Sequence, residues 1–305
     1  MLKYLLTRLL QGGFVLFGVV TLAFLVIRLT GDPAVLILGE HATRKGLEDL
    51  RRQMGWDRPL SAQYVDYLSR VVRGDLGRSL FDGRPAAIVY GERIPASFQL
   101  AATAMLIVVA VSLPLAVGSA ISHNAILQGL TQVIVALGQS LPSYWFGLLL
   151  ILLFSVSLGW LPSGGRETLA AVVLPAVTLA TWTIARVTRL ARAKVVEIVP
   201  QDYIRTAAAK GLPPRQVYFR HVLPNASIAI LTLLSAEFLT MFSAAILTES
   251  VFAWPGVGRL LAESVYRRDY PTVQAGLLVI SAMVVAVNLV TDLLYVVMDP
   301  RIRIR

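Results

Sequence analysis

The sequence lacks several residue types on which protein chemistry often depends. None of its 305 residues is cysteine, which excludes disulfide bonds, thiolate metal sites and thiol catalysis. Only three histidines occur, and no two of them form an H-E-x-x-H pair. Charged residues are also scarce, at 15% of the chain, whereas a soluble domain typically contains about 25%.

Motifs for catalysis and for binding nucleotide phosphates are missing as well. None of the four lysines follows a glycine, so the chain has no G-x-x-x-x-G-K-[ST] loop with which to hold ATP phosphates. The sequence also contains no carboxylate dyad, metal-ligating cluster or Ser-His-Asp arrangement. We therefore expect that the chain is not an enzyme by itself and that it binds no cofactor and no metal.

What the sequence has in abundance is apolar residues, which make up 56% of it. This composition is typical of a protein that crosses a membrane several times. The net charge of +10 could indicate nucleic-acid binding, but eight Lys/Arg residues against two Asp/Glu lie between Arg186 and His221. In a membrane protein such a basic loop indicates a cytoplasmic location, so nucleic acid is not an expected partner.

Six segments are apolar and long enough to cross a bilayer of about 30 Å, and we predict an all-α protein with six transmembrane helices. The segments cover residues 9–27, 98–119, 127–153, 169–187, 227–248 and 273–298. An even number of spans puts both termini on the same side, and Lys3 and Arg8 before the first span indicate that this side is the cytoplasm. This topology also puts the basic loop inside and the weakly charged loop at Arg166 and Glu167 outside, in agreement with the positive-inside rule.

The spans divide the chain into three predicted regions. Residues 1–29 form a cytoplasmic N-terminus and the first span. Residues 30–97, with ten basic and nine acidic residues up to Pro95, form an extracytoplasmic subdomain that contains the turn sequences GDP (31–33), RGDLGRS (73–79) and DGRP (82–85). Residues 98–305 contain the other five spans and a cytoplasmic loop at 188–226. Trp160 and Trp254 fall at span ends, as is typical of interfacial aromatic belts.

The most unusual stretch is residues 197–224, which are polar, basic and helix-prone although apolar segments flank them. Asp202 is predicted to cap a short helix that runs to Lys210, and Gly211 to end it in the left-handed conformation. A second short helix is predicted over 215–222, ending at the next proline. The stretch is either a solvated loop close to the membrane or a contact for a protein outside it.

Polar groups inside the predicted spans are candidates for a transport path, because such groups are costly in hydrocarbon. They are Gln139, Ser140, Pro142 and Ser143 in the third span, Glu237 in the fifth, and Asn288 and Asp292 in the sixth. For each, the alternative is structural: a kink in the third span, and hydrogen bonding between helices for the others. Arg186, Arg189 and Arg192 are interpreted as anchors at the cytoplasmic end of the fourth span.

The sequence RTAAAKG, followed after nine residues by HVLP, resembles the EAA loop of ATP-binding-cassette (ABC) importer permeases. Ala207, Gly211, Leu223 and Pro224 match that motif, whereas Arg205, Thr206 and His221 replace its Glu, first Ala and Ile. The whole chain resembles the dipeptide/oligopeptide/nickel branch of these binding-protein-dependent permeases. The motifs that carry this resemblance are TRLLQ, GDLGRSL, DYIRTAAAKGL, FAWPGVGRLL, RRDYPTVQ and the terminal DPRIR.

The resemblance implies a type I importer permease fold in a prokaryotic cytoplasmic membrane. It also implies that this subunit pairs with a second, homologous permease and works with two ATPase subunits and an extracytoplasmic binding protein. ATP and Mg²⁺ would be used by the ATPases, and the loop would form a coupling helix in an ATPase groove. The residues carried over for that role are Asp202, Tyr203, Arg205, Thr206, Ala207, Ala208, Lys210, Gly211 and Pro224.

The expected cargo is a peptide, with a nickel chelate, haem or another small nutrient as the alternative within the same branch. A different class also fits six apolar spans. A self-sufficient secondary transporter would move its cargo with ionisable groups in its own spans, such as Glu237 and Asp292, and would need no ATPase.

Overall fold

A computed structural model describes residues 2–29, 33–38, 42–122 and 124–298. Part of the predicted GDP turn (residues 31–32) and the terminal DPRIR sequence (299–303) lie outside these described residues. Within them the chain is helical and has no strand, apart from one antiparallel bridge between Arg78 and Pro85.

Thirteen α-helices form in the described ranges, together with three short segments of other helical types. The helices are α1 Leu2–Leu29, α2 Pro33–Leu38, α3 Arg44–Gln53, α4 Leu60–Val72, α5 Ala86–Ile121, α6 Ala125–Ser140, α7 Ser143–Leu150, α8 Val173–Ile198, α9 Asp202–Ala209, α10 Pro214–Val217, α11 Leu223–Val251, α12 Val257–Tyr266 and α13 Tyr270–Met298. The shorter segments are π-helical turns at Ile151–Ser157 and Tyr218–Val222 and a 3₁₀ turn at Leu169–Val172.

The all-α membrane architecture predicted from the sequence is confirmed. Among the described residues, five helices are long and apolar enough to cross a bilayer, and a sixth span exists if α6 and the segment Ser143–Ser157 count as one. The predicted third span is thus a broken one, bent by 108° between Ser140 and Ser143. Pro142 explains the break, because proline removes a backbone donor and pushes the residue before it out of the helical region.

The chain divides into two compact units. The first comprises residues Met1–Ala96 and Pro255–Leu289. In it α1 packs on α4: Phe24 stacks on Tyr67 and meets the ring of Tyr64 edge-on, while the hydroxyl groups of Thr21 and Tyr64 lie 2.8 Å apart. Burial raises the pKa of Tyr67 to about 12, so this side chain is neutral at physiological pH.

Asp269 joins two sequence motifs within the first unit. This carboxylate is 3% exposed and accepts hydrogen bonds from the Ser79 hydroxyl at 2.6 Å and from the Leu80 amide at 3.2 Å. It also accepts from the Thr272 hydroxyl at 2.8 Å at the start of α13. RGDLGRS and RRDYPTVQ, which lie nearly 200 residues apart in the sequence, are therefore parts of one structural junction.

The second unit comprises residues Ser97–Trp254 and Val290–Arg305, and α8 is its central helix. Small residues allow close helix packing there. A Cβ atom at Gly138 of α6 would lie 2.8 Å from the Cβ of Ala185 in α8. Trp254, which the sequence places at a span end as part of an interfacial belt, is fully buried within the fold and so does not present its ring to a membrane surface.

The stretch 197–224 is helical as predicted, but two of its predicted ends differ. Gln201 is the residue before α9, and Asp202 lies in the first turn without making a side-chain cap. The second helix does not end at Pro224, because α10 continues through a π-helical turn into α11. The wider π turn accommodates the proline ring, and the Asn225 side chain donates a hydrogen bond to the His221 carbonyl at 2.7 Å.

Candidate functional site

The first candidate site is the surface of α9, a helix with one buried face and one exposed face. Ile204 and Ala207, three residues apart, lie on the buried face and are 5% and 6% exposed. They pack into an apolar cluster with residues of α5, α8, α10, the π-helical turn after it and α11, namely Ala116, Ala191, Val195, Ile198, Val217, Val222, Ala226 and Ile230. Full burial of a side chain such as Ile204 contributes about 1.5–3 kcal/mol, so α9 is firmly held on the ends of its neighbours.

The opposite face of α9 is open and polar, with small side chains among the charges. We call it the α9 surface; it consists of the exposed residues Asp202, Tyr203, Arg205, Thr206, Ala208 and Ala209 of α9 and of Lys210 and Gly211, which follow the helix. Within it Arg205 and Asp202 lie 3.9 Å apart, a distance that in water contributes little to stability. Both charged groups therefore remain available to a partner.

One residue predicted for the ATPase contact, Ala207, is buried, whereas the others are exposed. Ala207 was assigned to the ATPase contact together with its neighbours, but its side chain faces the apolar cluster and not the α9 surface. Its small side chain allows α9 to pack closely against the apolar cluster of the same chain. Pro224, also assigned to this site, is exposed in the first turn of α11.

Gly211 ends α9 in the way the sequence predicts. Its φ angle is +78°, a conformation that other L-residues adopt only at a cost. Pro213 and Pro214 follow, and the chain then enters α10. The glycine thus allows the tight reversal between the α9 surface and the helix that continues into α11.

The second candidate site is a cavity of about 400 Å³ beside the break between α6 and α7. This volume lies within the range of small-molecule pockets, about 300–1,000 Å³. Its walls come from the break, from α8 and from α11, and its lining residues are Gln139, Ser140, Leu141, Pro142, Ser143, Leu179, Trp182, Thr183, Thr240, Met241 and Ala244. Four residues singled out from the sequence therefore line one cavity: Gln139, Ser140, Pro142 and Ser143.

A charged cluster lies next to the cavity. Glu237, on α11, is 1% exposed, and its Oε1 lies 3.0 Å from Nε of Arg186 on α8. The Arg186 guanidinium also lies over the Trp182 ring, 5.2 Å from its centre. One turn further along α8, Arg189 donates a hydrogen bond to Oε1 of Gln139 at 2.9 Å.

The sequence did not indicate these partners. Arg186 and Arg189 were interpreted only as cytoplasmic anchors, although their i, i+3 spacing places both on one face of α8. Asn288 and Asp292 do not line the cavity. Asn288 is exposed on α13 and Asp292 is buried there. Among the described residues no group of three or more His, Asp or Glu side chains is arranged to hold a metal.

Two family profiles together match almost the whole sequence. Residues 112–304 match the binding-protein-dependent transport system inner membrane component, and residues 1–116 match the N-terminal region of such membrane components. The chain belongs to this family of ABC-transporter permeases.

Curated relatives and solved structures agree with that assignment. The chain is 40% identical over 304 residues to the glutathione transport system permease protein GsiC of Escherichia coli O6:H1, covering 99% of both chains. It is 36% identical to the di/tripeptide transport system permease protein DppB of Pseudomonas aeruginosa, covering 94% of both. Its fold is similar to that of the inward-facing MetNI methionine ABC transporter, with a TM-score of 0.59 and 21% identity over 69% of this chain and 96% of that one.

Family membership defines what kind of protein this is. It is a permease subunit of an ABC importer, a multi-spanning component of a bacterial inner membrane. Such a subunit is a transport component that works in a membrane-embedded complex with ATPase and substrate-binding partners.

Proposed function

We propose that this permease imports small peptides, with the α9 surface as the place where an ATPase subunit acts. The observation that carries the coupling role is the two-faced packing of α9: one face is fixed in the apolar cluster and the other is free for a partner. The choice of cargo rests on the relatives, which are named for glutathione and for di- and tripeptides.

The packing of α9 suggests how a movement of the ATPase would reach the transport path. The apolar cluster joins α9 to Val195 and Ile198 near the end of α8 and to Ala226 and Ile230 near the start of α11. Both helices line the cavity further along. A displacement of α9 would therefore move two cavity walls together, because packed side chains transmit it with little compression.

The full transporter, in this proposal, contains a second homologous permease, two ATPases and an extracytoplasmic binding protein. Residues 1–29 form the cytoplasmic N-terminus and first span, residues 30–97 face the binding protein, and residues 98–305 form the permease core with its coupling loop at 188–226. The ATPases hold ATP and Mg²⁺, and this chain binds neither. Cargo passes between the two permeases, beside the cavity at the α6–α7 break.

Reconstitution into proteoliposomes tests this function. The complete complex with enclosed ATP is expected to accumulate labelled di- and tripeptides, and this permease alone is expected to accumulate none. Ala208→Glu adds a bulky charge to the α9 surface without touching the apolar cluster. It is expected to lower ATPase association and uptake at least tenfold.

The matched control is Ala87→Glu, an exposed alanine in the first turn of α5, where an acidic residue suits the helix dipole. ATPase association should remain at the wild-type level in this variant. Uptake by the permease alone would contradict the ABC mechanism and favour a secondary transporter. Unchanged ATPase association in Ala208→Glu would contradict the coupling role of the α9 surface.

A further inference from the structure

We infer that Glu237 and Gln139 form a cargo subsite that binds the amino-terminal end of a peptide. This inference rests on the proposed peptide transport and adds a specific recognition site to it. In it, Oε2 of Glu237 accepts from the peptide's terminal ammonium, and Nε2 of Gln139 donates to the first peptide carbonyl. Arg186 and Arg189 hold these two side chains in position.

Glu237 and Arg186 lie on the faces of α11 and α8 that also carry residues lining the cavity. On α11, Thr240 and Met241 line the cavity, and they lie three and four residues after Glu237, on the same helix face. On α8, Trp182 and Thr183 line it and lie four and three residues before Arg186, again on one face.

Gln139 lines the cavity directly. Glu237 and Arg186 are not lining residues themselves and lie one helical turn from those that are, so the ion pair lies next to the wall that Gln139 helps to form.

Each of the two side chains has one atom bonded and one atom unused. Oε1 of Glu237 is paired with Arg186, and Oε1 of Gln139 accepts from Arg189. Oε2 of Glu237 and Nε2 of Gln139 are buried without a hydrogen-bond partner among the described residues. A buried polar atom without a partner is costly, so the two side chains offer one open acceptor and one open donor.

The chemistry of the open atoms identifies the kind of ligand. An acceptor on a carboxylate takes an N–H group, and most strongly a cationic one, while an amide N–H takes a carbonyl oxygen. The amino terminus of a peptide carries these two groups next to each other. A carboxylate has enough lone pairs to accept from both Arg186 and the ammonium, so the ion pair need not break when cargo binds.

A nearby glutamate provides a contrast on the same helix. Glu249 of α11 is also 1% exposed, but its Oε1 accepts a hydrogen bond from the Ser97 hydroxyl at 2.6 Å. Neither glutamate is itself a lining residue, but Glu237 lies one turn before Thr240 and Met241, which line the cavity, whereas Glu249 lies five residues beyond Ala244, the last lining residue of α11. Glu249 therefore serves as a matched control for the removal of a buried carboxylate from α11.

The test measures equilibrium binding of two labelled ligands to the purified complete complex, without the binding protein. The ligands are alanyl-alanine and propanoyl-alanine, which is the same dipeptide without its amino group. The wild-type complex is expected to bind alanyl-alanine at least tenfold more tightly. Glu237→Gln keeps an acceptor for Arg186 but turns the free oxygen into a donor, so this preference should disappear.

Glu249→Gln is expected to keep the tenfold preference, even if less complex assembles. A merely structural role of Glu237 would weaken the binding of both ligands equally and leave their ratio unchanged, which would overturn the inference. Equal binding of the two ligands by the wild-type complex, or binding of neither, would also overturn it. Peptide uptake in the reconstituted system would still support the proposed function in each of these cases.

Discussion

Two buried carboxylates, Asp269 and Glu237, show how differently single residues are used in this chain. Both oxygens of Asp269 accept hydrogen bonds, from Ser79, Leu80 and Thr272. This full pairing is typical of a carboxylate that holds a fold together. Glu237 is bonded at one oxygen only. The sequence made Glu237 a candidate for the transport path or for a hydrogen bond between helices. It could not predict Arg186 as the partner of Glu237, or Ser79 and Leu80 as partners of Asp269, because these residues lie far away in the chain.

Replacing Asp269 by alanine is expected to loosen the junction between the RGDLGRS loop and the start of α13. The change removes three close acceptor contacts and leaves the Leu80 amide without its partner, and such losses cost about 1–3 kcal/mol for each buried group. Limited proteolysis should therefore cut within residues 73–85 at least tenfold faster. The melting temperature of the complex should fall.

The control is Asp66→Ala, which removes an exposed ion pair with Arg58 in the same unit. Exposed pairs of this kind contribute about 0–1 kcal/mol, so proteolysis of the loop should stay near the wild-type rate. Equal cleavage of the two variants would mean that Asp269 does not hold the loop in place.

At the scale of the helices, the sequence predicted those features that are set by adjacent residues, such as where a helix ends or breaks. The glycine at the end of α9 has the positive φ angle expected of it, and Pro142 marks a real break in the third span. What could not be predicted depends on packing. Ala207 turns inward because α5, α8 and α11 cover that face of α9, and Trp254 is buried although it follows the end of α11.

The crossing of α6 and α8 depends on the absence of a side chain at Gly138. In Gly138→Ala the new methyl group would lie 2.8 Å from the Cβ of Ala185 and 3.0 Å from the Thr181 carbonyl oxygen. The two helices must then separate, and overpacking of this kind costs about 1–3 kcal/mol. We expect a lower melting temperature and weaker peptide uptake, since Gln139 and Ser140 of the cavity follow directly in the chain.

Gly129→Ala is the matched control on the same helix. A Cβ atom there meets nothing within 4 Å, and alanine favours a helix over glycine by up to about 1 kcal/mol. This variant should be as stable as the wild type or more stable. If the two alanine variants melted at the same temperature, close packing at Gly138 would not determine where α6 lies.

For the molecule as a whole, the course of the broken α6–α7 pair decides on which side of the membrane α9 lies. If it crosses, six spans place the loop at Glu167 outside and α9 in the cytoplasm. If it enters and leaves on one side, Glu167 is inside and α9 is outside. The second arrangement would put a loop with eight Lys/Arg and two Asp/Glu between residues 186 and 221 outside, against the positive-inside rule.

We therefore predict that the pair crosses, and the absence of cysteine makes this easy to measure. Single cysteines at the exposed positions Asp57, Ala125 and Glu167 can each be treated, in intact cells, with a maleimide that does not cross membranes. Asp57→Cys and Glu167→Cys should be labelled from outside, whereas Ala125→Cys, before α6, should react only after the cells are permeabilised. Protection of both Ala125→Cys and Glu167→Cys, with Asp57→Cys still labelled, would mean a re-entrant pair. The α9 surface would then lie on the side away from ATP, and no cytoplasmic ATPase could use it.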